Sequence, residues 1–176
     1  MARIPYVPEN PAAPREIVEA MRARRGGTLL NLDRMLLHSP ELAAGWNTYL
    51  GAVRTKLALS PKLRELAICV VAVLNGAEYE FLQHAPGFLE AGGTQAQLDA
   101  LRDPDAALRD EARFDDTERA ALAVAIASTR TVRVPGAQFD ALARRLGERE
   151  TVEFIATVAT YNMVSRFLVA LDIEPE

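Results

Sequence analysis

Residues 61–90 read PKLRELAICVVAVLNGAEYEFLQHAPGFLE, and their interpretation decides the fold. Ser60 followed by Pro61 marks a helix start: a hydroxyl residue at the cap, then proline where the missing N–H has no partner to lose. The run behind it, Leu66 to Leu74, is apolar throughout. Its Ile68, Val70, Val71 and Val73 also suit a buried strand, since β-branched side chains pack well in sheets. The Ser-Pro start and the lack of any partner strand favour the helix. A helix apolar on all faces is buried on all faces, which places it at the centre of a bundle or at a subunit interface. A homo-oligomer is the natural consequence, because closed symmetric assembly buries such a surface.

Outward from this segment the punctuation stays helical. AEYEFLQHAPGFLEAGG, residues 77–93, has helical spacing interrupted by Pro86. Upstream, Arg15 to Arg25 is a short helix stopped by Gly26-Gly27, and Thr28 is placed to cap Leu29 to Leu37. Ser39, Pro40 and Glu41 form a second Ser-Pro start, with Leu42, Trp46, Tyr49, Leu50 and Val53 at helical intervals behind it. Downstream, Thr94 with Gln97 and Asp115 with Glu118 spell capping boxes. Pro135 opens a helix ended by Gly147, and Arg149 to Leu171 carries an apolar stripe through Ile155, Ala159, Met163 and Phe167. Pro5, Pro8, Pro11 and Pro14 mark residues 1–14 as an extended arm over the domain or a neighbouring subunit. The expectation is an all-α protein, with one helical domain over residues 15–176.

Composition narrows the function. A chain of 176 residues can bury roughly 70% of its unfolded surface in one core, so no covalent staple is needed. Its single cysteine, Cys69, excludes an internal disulfide, a CxxC redox pair and a cysteine-based zinc site. Two histidines, His38 and His84, make a multi-histidine metal centre a poor fit. A net charge of −4 argues against nucleic acid as a partner. No apolar run approaches the ~20 residues of a membrane span, and the first residues lack the apolar core of a signal peptide. These features point to a soluble, cytoplasmic, single-domain protein.

The candidate chemistry lies between Glu65 and His84. Glu80 and His84 are four apart and share a helix face. Exposed carboxylate–cation pairs at this spacing are also routine and weak, so spacing alone does not make a site. Pro86 cannot donate to the carbonyl of Leu82: a helix running through it bends and frees that acceptor, while a helix ending near Ala85 uses the proline as a new start. The short Asn75-Gly76 connection makes the Glu65 helix and the Glu80/His84 helix antiparallel neighbours. Arg64 could clamp a substrate carboxylate or serve as a surface charge. Glu65, Glu80 and His84 as three ligands of a metal is a minor alternative. Cys69 reads as a small core residue, Trp46 as core and His38 as a helix-end residue. Tyr161, Asn162 and Arg166 are polar groups on the last helix, lining a pocket or meeting another subunit.

The string from Glu65 to Thr94, ELAICVVAVLNGAEYEFLQHAPGFLEAGGT, resembles the core of the carboxymuconolactone decarboxylase family, which includes the alkylhydroperoxidase D-like proteins. The likeness centres on residues 40–125, taking in HSPELAAGW at His38–Trp46, and the ending ETVEFIATVATYNMVSRFLVAL is also similar. The resemblance implies a helical bundle of the alkylhydroperoxidase D type, assembled as a homotrimer or hexamer. Redox-active relatives carry a Glu, then Cys-x-x-Cys, then a His four residues on. On this chain that spacing passes through Glu65, Ala77, Tyr79, Glu80 and His84, with Ala77 and Glu80 in the two cysteine places. Neither can act as a peroxidatic or resolving thiol.

What remains is acid–base chemistry of a cysteine-free branch. The resemblance then implies a lyase of decarboxylase type acting on a small carboxylated or lactone-like metabolite, with no cofactor and no metal. Its catalytic residues would be His84 as acid or anion stabiliser, Glu80 as its orienting partner, Glu65 as second base or relay, and Tyr79, with Arg64 on the substrate. The alternative is a non-catalytic oligomeric binding protein that retains the fold.

Overall fold

Helix punctuation in the sequence becomes nine helices and no strand in the computed structural model, which describes residues 1–176. In chain order they are α1 (Arg15–Arg25), α2 (Asn31–Leu36), α3 (Pro40–Thr55), α4 (Pro61–Leu74), α5 (Glu78–Glu90), α6 (Gln95–Ala100), α7 (Pro104–Arg109), α8 (Asp116–Thr131) and α9 (Gly136–Ala170). The all-α expectation holds. Gly147, at φ 75° and ψ 175°, interrupts α9 where the sequence places a helix end.

The chain divides into two compact units, Met1–Leu57 with Ala170–Glu176, and Ala58–Val169. In the first, residues 1–14 form no helix and are tied down within the unit. The Arg3 N–H donates to the Leu171 carbonyl at 3.0 Å, Arg34 donates to the Val7 carbonyl at 2.8 Å, and Arg22 to that of Glu9 at 2.7 Å. Thr28 does not cap α2. That work falls to Asp33, a fully buried carboxylate that accepts the Leu30 N–H at 3.0 Å and is neutralised by Arg24 and Arg25. Two guanidinium groups make the buried charge tolerable, and the helix therefore begins at Asn31.

In the second unit α4 is the central element, packed against α5, α7 and α8. Every residue from Leu66 to Ala72 is at most 1% exposed within the single chain. The strand reading falls, and so does the subunit-interface reading of this helix: its own chain encloses it. Ser39 and Ser60 make no side-chain capping bond, so proline at the first turn defines the starts of α3 and α4. The two capping boxes do form. They are also joined, because Gln97 Nε2 donates to Glu118 Oε2 at 3.1 Å while Lys62 on α4 pairs with Glu118 at 2.6 Å. Helix α7, outside the expectation, carries the same kind of start, Asp103 capping the Ala106 N–H ahead of Pro104.

Helix α5 runs through Pro86 rather than ending before it. Its far end is closed by Gly93, whose N–H donates to the Phe88 carbonyl at 2.9 Å. A β-carbon at position 93 would lie 2.3 Å from the Phe88 ring, which is fully buried and cannot swing away. Gly93→Ala is therefore expected to destabilise the fold by about 1–3 kcal/mol, the usual range for overpacking. Urea unfolding checks this against Gly45→Ala, whose added methyl meets nothing within 4 Å.

Candidate active site

Three residues, Asn75 to Ala77, reverse the chain between α4 and α5, and Gly76 takes the left-handed conformation (φ 66°) that the reversal needs. The two helices therefore run antiparallel and side by side. This lays the first turns of α4, with Arg64 and Glu65, against the second half of α5, with His84. His84 Nδ1 lies 2.7 Å from Glu65 Oε2, a buried contact between side chains 19 positions apart. Arg64 Nε donates to the other oxygen, Glu65 Oε1, at 3.0 Å. Gly87, one turn beyond His84, has no side chain to crowd this carboxylate: a β-carbon there would reach within 3.4 Å of Glu65 Cδ and Oε2.

Burial pushes the Glu65 carboxyl upward, but the hydrogen bond and charge of His84 and the Arg64 guanidinium outweigh it. The carboxyl is held below its ordinary value of 4.5. A charged carboxylate has no proton to give, so the hydrogen in the Glu65–His84 bond belongs to Nδ1. In the neutral imidazole that leaves Nε2 as the nitrogen that accepts or returns a proton.

Glu80 is only 2% exposed and receives the hydroxyl of Ser165, itself fully buried on α9. The side chain at His84 Nδ1 is Glu65, from the facing helix. Tyr161, also on α9, sets its ring edge-on to the imidazole, with centroids 5.0 Å apart and planes at 86°. Tyr79 is buried on α5 beside Glu80. Sequence reasoning misses Ser165 altogether. The one available signal is that Ser165 and Tyr161 are four apart, as are Glu80 and His84. Asn162 and Arg166 belong elsewhere, in a polar cluster with Asn75 and Thr129.

Cys69 is buried on α4, one turn beyond Glu65. Burial, then the charges of Glu65 and Glu80, push its thiol up to about 12. No group of three or more His, Cys, Asp or Glu side chains is arranged to hold a metal ion. No helix is long and apolar enough to cross a membrane.

Residues 40–127 match the carboxymuconolactone decarboxylase family. The chain belongs to this family. Among solved structures, it is similar to the alkylhydroperoxidase AhpD core of a peroxidase-related protein from Ralstonia eutropha JMP134, with TM-score 0.82 and 22% identity over 99% of this chain and 92% of that one. A peroxidase-related protein from Silicibacter sp. TM1040 gives TM-score 0.81 and 18% identity over 97% and 90%. The debrominase Bmp8, in complex with 2,3,4-tribromopyrrole, gives TM-score 0.81 and 20% identity over 100% and 94%. These likenesses show the alkylhydroperoxidase D-like fold. No curated protein matches the sequence.

Two expectations follow. The stabilisation from the Glu65 pairing is present above the ordinary carboxylate value and is lost as the pH falls through the depressed one. Urea unfolding at pH 7 and pH 3 should therefore show a smaller loss of stability on acidification in Glu65→Gln than in the native protein. The Cys69 thiol should resist a disulfide reagent such as dithionitrobenzoate in the folded protein and react at once in guanidinium. Rapid labelling of the folded protein would contradict its burial.

Proposed function

We propose that this protein is a cytoplasmic, homo-oligomeric lyase of decarboxylase type that acts on a small carboxylated or lactone-like metabolite by acid–base chemistry. The observation that carries this reading is the buried 2.7 Å bond between Glu65 and His84, which orients an imidazole and fixes which nitrogen handles the proton. Exposed Leu82 and Leu89, seven apart on one face of α5, support assembly with further copies of the chain.

The chemistry asked of the site is modest. Loss of a carboxylate as carbon dioxide leaves its bonding electron pair on the substrate carbon as an enolate-like anion. A proton must then be placed on that carbon. Arg64 has its Nε committed to Glu65 and presents the Nη edge of its fork to an anionic substrate group. His84, protonated through Nε2, stabilises the developing charge and delivers the proton, while Glu65 supports the imidazolium that forms before transfer. Glu80 and Tyr79 flank this centre on α5, Glu80 as a second proton-handling group. Thiol peroxidase chemistry has no place in the reading, since Ala77 and Glu80 occupy the two thiol positions of redox-active relatives.

A panel of carboxylated lactones, followed by NMR for carbon dioxide release and carbon protonation, tests the proposal. On a turned-over substrate, His84→Ala should lose about 10²–10⁴-fold in kcat/KM with the fold intact, the range for a positioned acid–base group. Arg64→Gln should raise KM more than it lowers kcat. An unchanged rate in His84→Ala removes the imidazole from the mechanism, and silence across the panel favours a non-catalytic binding protein.

A further inference from the structure

Beyond Gly147, α9 buries a face rich in polar groups and exposes an apolar one. Thr151, Thr157, Thr160, Asn162 and Ser165 are all on the buried side, and the threonine hydroxyls donate back to carbonyls of their own helix. The apolar stripe that the sequence shows through Ile155, Ala159 and Met163 lies on the other side. Val152 is 68% exposed and Met163 41%, with Ala159 exposed and Ile155 half-buried between them. The stripe ends in opposite charges. Glu148, at its N-terminal end, is exposed and makes no ion pair or side-chain hydrogen bond in its own chain. Arg166, at its C-terminal end, donates from one Nη to the Asn162 carbonyl at 2.9 Å and to Asn162 Oδ1 at 3.0 Å, and meets no carboxylate. Arg149 and Glu153, the other charges beside the stripe, are paired with each other.

We propose that this face of α9 is a self-complementary interface, on which a second copy of the chain docks antiparallel across a two-fold axis. Glu148, Val152, Ile155, Ala159, Met163 and Arg166 recur every three or four positions, so they form one seam along the helix. With the axis between Ile155 and Ala159, the large side chain of one copy meets the small one of the other. Val152 then faces Met163, and Glu148 faces Arg166. Each contact occurs twice, as in any isologous pair. The charge pattern selects the occupant: acid at one end and base at the other complement an antiparallel copy, whereas a parallel copy would set like charges together. Asn162 already orients the Arg166 guanidinium, so little freedom is lost on docking.

The inference rests on the homo-oligomeric part of the proposed function and is independent of its chemistry. Sedimentation equilibrium of the full chain tests it. Glu148→Arg and Arg166→Glu should each raise the dissociation constant of the pair by about tenfold or more, because two attractive contacts become two like-charge ones. The double variant, with acid and base exchanged, should return to within about threefold of the native value. Glu148→Arg breaks no side-chain bond within the chain, so it carries the test even where Arg166→Glu disturbs Asn162. A native assembly that neither reversal weakens would overturn the α9 interface and leave assembly through another face, as would a double variant no tighter than the single ones. A native chain that sediments as a monomer would overturn this inference and the homo-oligomeric reading together.

Discussion

A carboxylate at the head of a sealed helix is the constraint on which the rest of this structure depends. Helix α4 is apolar from Leu66 to Leu74 and closed off by α5, α7 and α8, yet Glu65 stands at the edge of that run and is itself 6% exposed. An unpaired charge there would cost several kcal/mol. The fold meets the cost with two partners, the adjacent Arg64 and His84 on the antiparallel neighbour. The close turn at Gly76 sets the two helices side by side. Gly87 leaves room for the carboxylate against α5. A requirement of packing thus produces an oriented imidazole, which is also what acid–base chemistry requires.

The second carboxylate, Glu80, is buried on α5 beside the same centre. Glu65 is tied to cations and stays charged, and Glu80 receives the hydroxyl of Ser165. Cys69 lies under the influence of both charges and cannot ionise at neutral pH. The one thiol of the chain is therefore held protonated.

How much of this could be seen in the sequence depends on the range of the interaction. Proline starts at Pro40 and Pro61, the capping boxes at Thr94 and Asp115, and the left-handed stops at Gly26 and Gly147 are local, and they appear where they were expected. Thr28 fails as a cap because Asp33, neutralised from a different helix, does the work instead. Helix α5 continues through Pro86, a choice between two allowed uses of proline that only tertiary packing decides. At the site, the i, i+4 pattern places Glu80 and His84 together on α5 but gives no sign that Glu65 is the residue at His84 Nδ1. The rotation of α4 about its own axis, which aims Glu65 at the imidazole, leaves no trace in sequence spacing. Ser165 is less visible still, since nothing near it in the chain announces a carboxylate 85 positions away.

The central claim is that Glu65 dictates which nitrogen of His84 exchanges protons. The ¹⁵N shifts of the His84 ring, recorded above its titration, measure this directly. The account predicts a protonated Nδ1 and a bare Nε2 in the native protein, with that preference weakened in Glu65→Gln. A native His84 carrying its proton on Nε2, or a tautomer indifferent to Glu65→Gln, would contradict it.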